Sequence, residues 1–149
     1  MVWTTFATIV LSIPLLFSLP LQAADPRIEV FKTSTCGCCG KWVEHLKANG
    51  FAPVVKDVPS TAEYRRQYGV PEGLQSCHTA VVEGYSVEGH VPAADIHRLL
   101  KQKPKAKGLA VPGMPLGSPG MEAPRRQAYS VYLFDSDGKT SVFTKYPGD

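Results

Sequence analysis

Apolar residues recur along the chain with two different spacings, one typical of strands and one typical of helices. The two spacings alternate and so predict alternating strands and helices. Apolar and polar residues alternate in residues 27–32 (RIEVFK), which is typical of a half-buried strand, and short apolar runs predict further strands. The four predicted strands are residues 27–32, 51–58, 79–83 and 85–91. Helical spacing of apolar residues predicts helices over residues 37–49, from Ser60 to about Tyr68, and from Pro92 onward.

Local signals support the boundaries of these helices. In the first helix, Trp42, Val43 and Leu46 share one face. In the second, Ser60 and Glu63 have the spacing of a capping box. The order strand, helix, strand, helix, strand, strand, helix predicts an α/β fold, a thioredoxin-like mixed sheet with flanking helices.

The C-terminal third differs in composition. Five prolines and four glycines fall in residues 104–124, a density that predicts neither a helix nor a central strand, so residues 104–127 are expected to form a Pro/Gly-rich loop. Residues 128–134 and 140–146 are strand-like and are joined by residues 135–138 (DSDG). They predict a C-terminal β-hairpin extension over residues 128–146.

Residues 1–23 read as a secretory signal peptide. Residues 1–21 carry no charged side chain, and small residues follow, so cleavage is expected after Ala23. An uncleaved N-terminal anchor is the alternative. Either way we expect the remaining residues 24–149 to be exported, as one thioredoxin-like metal-binding domain in an oxidising compartment.

Composition and charge exclude several classes of function. Hydrophobic residues make up 44% and charged residues 19% of the chain, as expected for a folded protein. A net charge of +3 is too small to indicate nucleic-acid binding. We find no Ser-His-Asp pattern, paired-carboxylate signature or phosphate-binding glycine loop, and therefore no hydrolase or transferase signature.

Four cysteines are the strongest chemical signal. Cys36, Cys38 and Cys39 lie at the predicted junction of the first strand and first helix, where free N–H groups and the helix dipole favour thiolate over thiol. Cys77 precedes the third strand. In a thioredoxin-like order this loop faces the start of the first helix, so we expect all four sulfurs to converge.

Several chemistries fit such a quartet. Cys36 and Cys39 have the C-x-x-C spacing of a redox disulfide, although Cys38 and Cys77 would compete with it. Binding of a single zinc ion is a second interpretation, but two cysteines adjacent in the chain cannot easily ligate the same ion. Cu(I) prefers soft thiolates, and bridging sulfur lets adjacent cysteines serve several ions. Two structural disulfides are the plainest alternative.

Secondary ligands are also expected near the cysteines. His78 follows Cys77 and offers an imidazole, and Met114, in the Pro/Gly-rich loop, offers a thioether that suits Cu(I). Met121 in the same loop is a weaker candidate, and both methionines would equally well pack the loop onto the domain. The other histidines are expected to be supporting, structural or exposed: His45, His90 and His97.

Four segments together resemble one family. They are residues 33–42 (TSTCGCCGKW), 76–80 (SCHTA), 88–93 (EGHVPA) and the methionine-containing loop 113–121. They resemble the CopG-like periplasmic copper-resistance family, formerly a domain of unknown function. The resemblance implies a thioredoxin-like fold with an added hairpin, a bacterial periplasmic location, and a multinuclear copper cluster bridged by cysteine sulfur. By position it implies these ligands: Cys36, Cys38, Cys39 and Cys77.

The residues and the resemblance predict an exported copper-binding protein of copper resistance or homeostasis. We expect it to hold more than one Cu(I) ion, with interconversion of Cu(I) and Cu(II) as a candidate oxidoreductase activity. Its expected partners are copper ions and other periplasmic copper-handling proteins, with neither nucleic acid nor, after signal cleavage, a membrane. A thiol–disulfide oxidoreductase using Cys36 and Cys39, and a metallochaperone that passes copper to a partner, remain open.

Overall fold

The computed structural model describes residues 24–149. The predicted signal peptide and its cleavage after Ala23 therefore lie outside the described residues. Within them, none of the helices has the length and apolar character needed to cross a membrane.

Residues 24–149 form seven strands and three α-helices. In chain order these are β1 (Arg27–Lys32), α1 (Gly37–Ala48), β2 (Ala52–Asp57), α2 (Ala62–Gln67), β3 (Thr79–Val82), β4 (Tyr85–Glu88), α3 (Ala93–Gln102), β5 (Gly108–Ala110), β6 (Tyr129–Phe134) and β7 (Thr140–Tyr146). A short 3-10 helix spans Glu72–Leu74.

The strands of the described chain form one mixed sheet with the order β2-β1-β3-β4-β5-β6-β7. The β1–β2 and β4–β5 pairs are parallel, and the other four pairs are antiparallel. This confirms the predicted mixed α/β fold. The order of the first four strands and the positions of α1, α2 and α3 along the chain are compatible with a thioredoxin-like arrangement.

A single apolar cluster joins the sheet to α1 and α3. It contains Ile28 and Val30 of β1 and the predicted helical face Trp42, Val43 and Leu46, all almost fully buried. Full burial of such side chains stabilises a fold by roughly 1.5–3 kcal/mol each. The packing holds the N-terminus of α1 at the end of β1.

The prediction that residues 104–127 contain no central strand is wrong. Gly108–Ala110 form β5, which lies between β4 and β6 inside the sheet. Pro104 and Pro112 stand outside these three residues, so no proline removes a hydrogen-bond donor from the strand. The number of prolines in the segment was therefore a poor guide to strand formation. A strand is excluded only where a proline stands within it, and none does here.

The predicted capping box of α2 does not form. The helix begins at Ala62, with Thr61 as its N-cap residue, and no side chain caps it. Ser60 stands one residue before this N-cap, and the structure shows no pair of reciprocal hydrogen bonds between Ser60 and Glu63. Its hydroxyl oxygen instead accepts a hydrogen bond from the backbone N–H of Ala62, at 3.2 Å.

The C-terminal hairpin of β6 and β7 is present as predicted. Its turn is closed by the carbonyl of Asp135, which accepts a hydrogen bond from Gly138 N–H at 3.2 Å. The hairpin is tied to α3 by buried Asp95, which accepts hydrogen bonds from the Tyr146 hydroxyl, at 2.6 Å, and from the Thr144 hydroxyl. These bonds fix the end of the sheet that is remote from β1.

Candidate metal centre

Three cysteines occupy the N-terminus of α1, directly after β1. Cys36 is the N-cap residue, and Cys38 and Cys39 belong to the first turn. A disulfide joins Cys36 to Cys39, and Cys36 Sγ lies 3.6 Å from Cys38 Sγ. The exposed N–H groups at a helix start stabilise negative charge on sulfur, so this turn is suited to thiolate chemistry.

Cys77 reaches the same place from the loop before β3. Because β3 is antiparallel to β1, with Phe31 opposite Thr79, the start of β3 lies beside the end of β1. The sulfurs of Cys36, Cys38, Cys39 and Cys77 all lie within 4.8 Å of one another. Cys39 is buried and the other three are partly exposed. The structure thus brings together the four cysteines that the sequence singled out, at a position that solvent reaches.

Two buried histidines adjoin Cys77. Its Sγ lies 3.3 Å from His78 Nδ1 and 3.0 Å from His90 Nε2, and neither histidine is exposed. The expectation that His90 is merely structural or exposed misses its position against Cys77. The reason is the register of the β3–β4 hairpin, in which Thr79 opposes Glu88, so that continuing it outward puts residue 90 opposite residue 77. His90 lies in the 88–93 segment that carried the resemblance, which was the available signal.

The Pro/Gly-rich loop covers this site. Met114 is half exposed, and its Sδ lies 3.9 Å from Cys38 Sγ. The carbonyl of Pro119 lies 2.8 Å from His90 Nδ1. Met121 is partly buried, and its carbonyl accepts a hydrogen bond from Gly117 N–H within the loop, at 2.8 Å. Of the two methionines, Met114 is thus the one whose sulfur the structure places beside a cysteine.

The other two histidines occupy supporting positions. His45 Nε2 accepts the N–H of Ala93, the first residue of α3, at 3.1 Å. His97 is exposed, stacks on Phe51, and has Nε2 2.7 Å from the carbonyl of Asn49. Both join α1 or the residues after it to α3, as expected for structural histidines.

Burial shapes the protonation of the groups around Cys77. It raises the pKa of the Cys77 thiol to about 12, with a further contribution from Cys38 nearby. Burial also lowers the pKa of His78 to about 3, helped by His90, and lowers the pKa of His90 itself. Both imidazoles are therefore neutral at pH 7 and carry a nitrogen lone pair, while Cys77 releases a proton when it binds a metal.

A buried carboxylate, which sequence reasoning did not single out, holds the Cys77 loop. Glu88 is fully buried at the end of β4 and accepts hydrogen bonds from Ser76 N–H, at 2.7 Å, and from the Thr79 hydroxyl, at 2.6 Å. Arg65 Nη1 lies 3.8 Å from it and donates to the carbonyl of Ser76 at 3.0 Å. These bonds tie down the residues on both sides of Cys77.

The buried carboxyl group of Glu88 is also expected to make the free energy of unfolding depend on pH. Burial raises the pKa of its carboxyl to about 7, against 4.5 as the ordinary value. The folded protein therefore binds more protons than the unfolded chain between these values, so this group makes the free energy of unfolding fall as pH rises from 4.5 to about 7. The loss is of the order of 3 kcal/mol, and it is constant at higher pH.

We expect Glu88→Gln to remove that fall, because glutamine keeps the shape of the side chain without the charge. Urea unfolding of the metal-free protein across this pH range measures it. The lowered pKa values of His78 and His90 make the free energy of unfolding rise with pH instead. The difference in this free energy between the variant and the parent therefore isolates the contribution of Glu88. Glu44→Gln, at an exposed position of α1, is the control. Parallel pH profiles for Glu88→Gln and the parent would contradict the assignment.

Two donor sets therefore share Cys77. One is the four sulfurs of Cys36, Cys38, Cys39 and Cys77, and the other is Cys77 with His78 and His90. Thiolates select soft ions, whereas imidazole suits copper and zinc alike. The Cys36–Cys39 disulfide adds the capacity for two-electron thiol–disulfide exchange.

Comparison with known proteins places the chain in a family. Residues 74–121 match the family model described as "Protein of unknown function, DUF411", and no curated protein matches. Two solved structures described as copper resistance protein CopG, forms 1 and 2, are each 45% identical to the chain. Form 1 has a TM-score of 0.79 over 83% of this chain and 99% of its own. Form 2 has a TM-score of 0.78 over 82% and 98%. With this identity over nearly the whole length of both structures, the chain belongs to the CopG-like copper-resistance family.

Proposed function

We propose that the protein binds Cu(I) in copper resistance, as a cluster of more than one ion bridged by the sulfurs of Cys36, Cys38, Cys39 and Cys77. The observation that carries the proposal is the convergence of these four sulfur atoms within 4.8 Å of one another. The relatives named copper resistance protein CopG support the choice of metal.

Charge and geometry favour several Cu(I) ions over one zinc ion. Four thiolates balance four monovalent ions, whereas one Zn²⁺ leaves about two negative charges in a partly buried site. Cys38 and Cys39 are adjacent in one helical turn, and Cys39 is buried while Cys38 is partly exposed. Their sulfurs therefore approach from different depths, which suits bridging between ions better than chelation of one.

Loading requires reduction of the Cys36–Cys39 disulfide. Two electrons and two protons, supplied by a dithiol that becomes a disulfide in turn, convert it to two thiols. Each thiol then releases one proton as its sulfur binds Cu(I). Copper capacity is therefore expected to depend on the redox state of this one pair.

The test is metal content under reducing conditions. Reduced protein is titrated with Cu(I) against a Cu(I) chelator, and we expect more than one copper per chain, with sulfur ligation in copper-edge absorption spectra. The disulfide form should bind less Cu(I). One metal ion per chain in the reduced protein, with zinc preferred to copper, would contradict the proposal.

Met114 is proposed as a secondary ligand at the outer side of the cluster. We expect Met114→Leu to weaken Cu(I) binding by several-fold without removing the cluster, because a thioether is a weaker ligand than the bridging thiolates. Met121→Leu removes the other thioether of the loop and should leave Cu(I) affinity unchanged. Competition with a chelator measures both, and equal affinities for Met114→Leu and the parent would exclude the Met114 sulfur. His78 is a further candidate ligand, on its contact with Cys77.

We further propose that the protein acts in the periplasm, as one domain over residues 24–149 after cleavage at Ala23. The apolar N-terminal residues and the family's copper-resistance relatives support this. N-terminal sequencing of protein recovered by osmotic shock tests it, and a chain that begins at Met1 would contradict cleavage.

A thiol–disulfide oxidoreductase is the second candidate, and the Cys36–Cys39 disulfide at a helix start favours it. This reading predicts reduction of insulin disulfides, and it predicts that Cys38→Ser keeps that activity. The copper proposal predicts instead that Cys38→Ser strongly reduces Cu(I) binding. Measuring both properties on the same variant separates the two functions.

A further inference from the structure

We propose that Ser76 is a positioning residue, whose hydroxyl group ties the Pro/Gly-rich loop to the loop that carries Cys77 and so keeps the Met114 thioether over the cysteines. The proposal rests on the proposed function in one respect, since it takes Met114 as the secondary copper ligand. It adds the residue that brings this ligand to the cluster.

Ser76 joins three segments of the chain through three different groups. Its N–H donates to Glu88 at 2.7 Å, its carbonyl accepts from Arg65 Nη1 at 3.0 Å, and its hydroxyl donates to the carbonyl of Gly113. A carbonyl can only accept, so the hydroxyl is the donor of the last bond. The two backbone groups tie Ser76 to β4 and α2, and its side chain binds the Pro/Gly-rich loop.

The bond to Gly113 acts on the residue directly before Met114. A second hydrogen bond, from Gly113 N–H to the carbonyl of Gln75 at 3.1 Å, joins the same two loops. Met114 is followed by Pro115, and a residue before proline is restricted to extended backbone angles. The backbone between the anchored residue and the thioether therefore has little freedom, and the Met114 sulfur lies 3.9 Å from Cys38 Sγ.

Gly113 depends on these hydrogen bonds more than the rest of the loop does. A Cβ at this position would meet no atom within 4 Å, so the turn has open space on that side. By contrast, a Cβ at Gly120 would lie 2.7 Å from the carbonyl oxygen of Cys38. The far part of the loop is thus packed against α1, whereas the part next to Gly113 is held by its bonds to the Cys77 loop.

The substitution Ser76→Ala removes the hydroxyl tie and leaves the other contacts of the residue in place. The N–H and carbonyl of residue 76 keep their bonds, so the Cys77 loop keeps its position. Alanine also retains the Cβ, which faces Gly89 closely, since a Cβ at Gly89 would lie 2.6 Å from it. Because residue 76 is partly exposed, water can bind the carbonyl of Gly113 in the variant.

The first measurement uses metal-free protein and therefore does not depend on copper binding. We expect Ser76→Ala to speed amide hydrogen exchange at Gly113 by several-fold, because the N–H of Gly113 bonds across the two loops. The amide of Met121 is the internal control, since it donates to the carbonyl of Ser118 within the loop at 2.8 Å. It should exchange as in the parent. Unchanged exchange at Gly113 would overturn the proposal.

The second measurement is a double-mutant cycle on the Cu(I) affinity of reduced protein. Ser76→Ala should weaken Cu(I) binding by several-fold, as Met114→Leu does, because both take the thioether away from the cluster. In the Met114→Leu background, Ser76→Ala should have no further effect. The matched control is Thr79→Val, which removes a hydroxyl that donates to Glu88 on the other side of Cys77. Its effect should be the same in both backgrounds.

The cycle separates positioning of Met114 from a direct effect on Cys77, whose Sγ lies 3.9 Å from the Ser76 hydroxyl. Equal weakening by Ser76→Ala in both backgrounds would show the direct effect and overturn the proposal. Parental Cu(I) affinity of Ser76→Ala, with Met114→Leu weakened, would overturn it as well and leave the copper cluster standing. Parental affinity of Met114→Leu would instead contradict Met114 as a ligand, and with it the proposal that Ser76 positions one. Far-ultraviolet circular dichroism confirms that each variant is folded.

Discussion

Replacing Cys77 with serine is expected to remove most of the copper that the reduced protein binds. Cys77 is the one residue common to the sulfur quartet and to the set with His78 and His90. A serine oxygen is a poor ligand for Cu(I), and the loss opens the side of the quartet opposite α1. We expect the reduced variant to bind far less Cu(I) than the parent when both are titrated against a Cu(I) chelator.

Cys38→Ser is expected to have the same effect on copper binding. Cys38 belongs to the quartet but not to the set with the histidines. The variant should therefore lose Cu(I) binding when reduced, with Cys77 and both histidines still in place. Because Cys38 and Cys77 are both partly exposed, serine at either position should change the free energy of unfolding by only about 1 kcal/mol. Copper content of Cys77→Ser equal to that of the parent would show that its sulfur is not a ligand.

The second large effect is expected from Gly120→Ala, in the loop that covers the site. Gly120 has φ +87°, where an alanine costs about 1–2 kcal/mol. A Cβ there would also lie 2.7 Å from the carbonyl oxygen of Cys38 and 2.9 Å from the backbone nitrogen of Trp42. Both neighbours are backbone atoms of α1, so the loop must lift. We expect a total loss of about 3 kcal/mol or more in the free energy of unfolding.

Lifting the loop should also loosen His90, since the Pro119 carbonyl that orients its ring precedes Gly120. Gly120→Ala is therefore also expected to weaken Cu(I) binding to the reduced protein, since the same loop places Met114 beside Cys38. Gly113→Ala provides the control, because Gly113 has φ +69° but an alanine Cβ there would meet no atom within 4 Å. It should show the backbone cost alone. Denaturant unfolding measures the stability of both variants, Cu(I) titration measures the binding of Gly120→Ala, and equal losses in the free energy of unfolding would rule out the close packing.

Features that depend on neighbours along the chain could be predicted from the sequence. The alternation in β1, the apolar face of α1 and the hairpin of β6 and β7 each follow from a pattern of a few consecutive residues. All three are present in the structure. The grouping of Cys36, Cys38 and Cys39 at a helix start is local in the same sense. The approach of Cys77 needed one further step, the order of the elements, which predicts that the loop before β3 faces α1.

The tertiary structure alone decided the features that depend on pairing between distant segments. β5 exists because β4 and β6 supply hydrogen bonds on both its edges, which proline density cannot reveal. His90 meets Cys77 through the register of β3 and β4, and Met114 meets Cys38 through the path of a loop without regular periodicity. The sequence by itself determined β1, α1, the C-terminal hairpin and the cluster of three thiols at the start of α1, since hydrophobic periodicity and turn residues act over a few positions. Which imidazole and thioether join those thiols was decided by hydrogen-bond register and loop packing, which relate residues far apart in the chain.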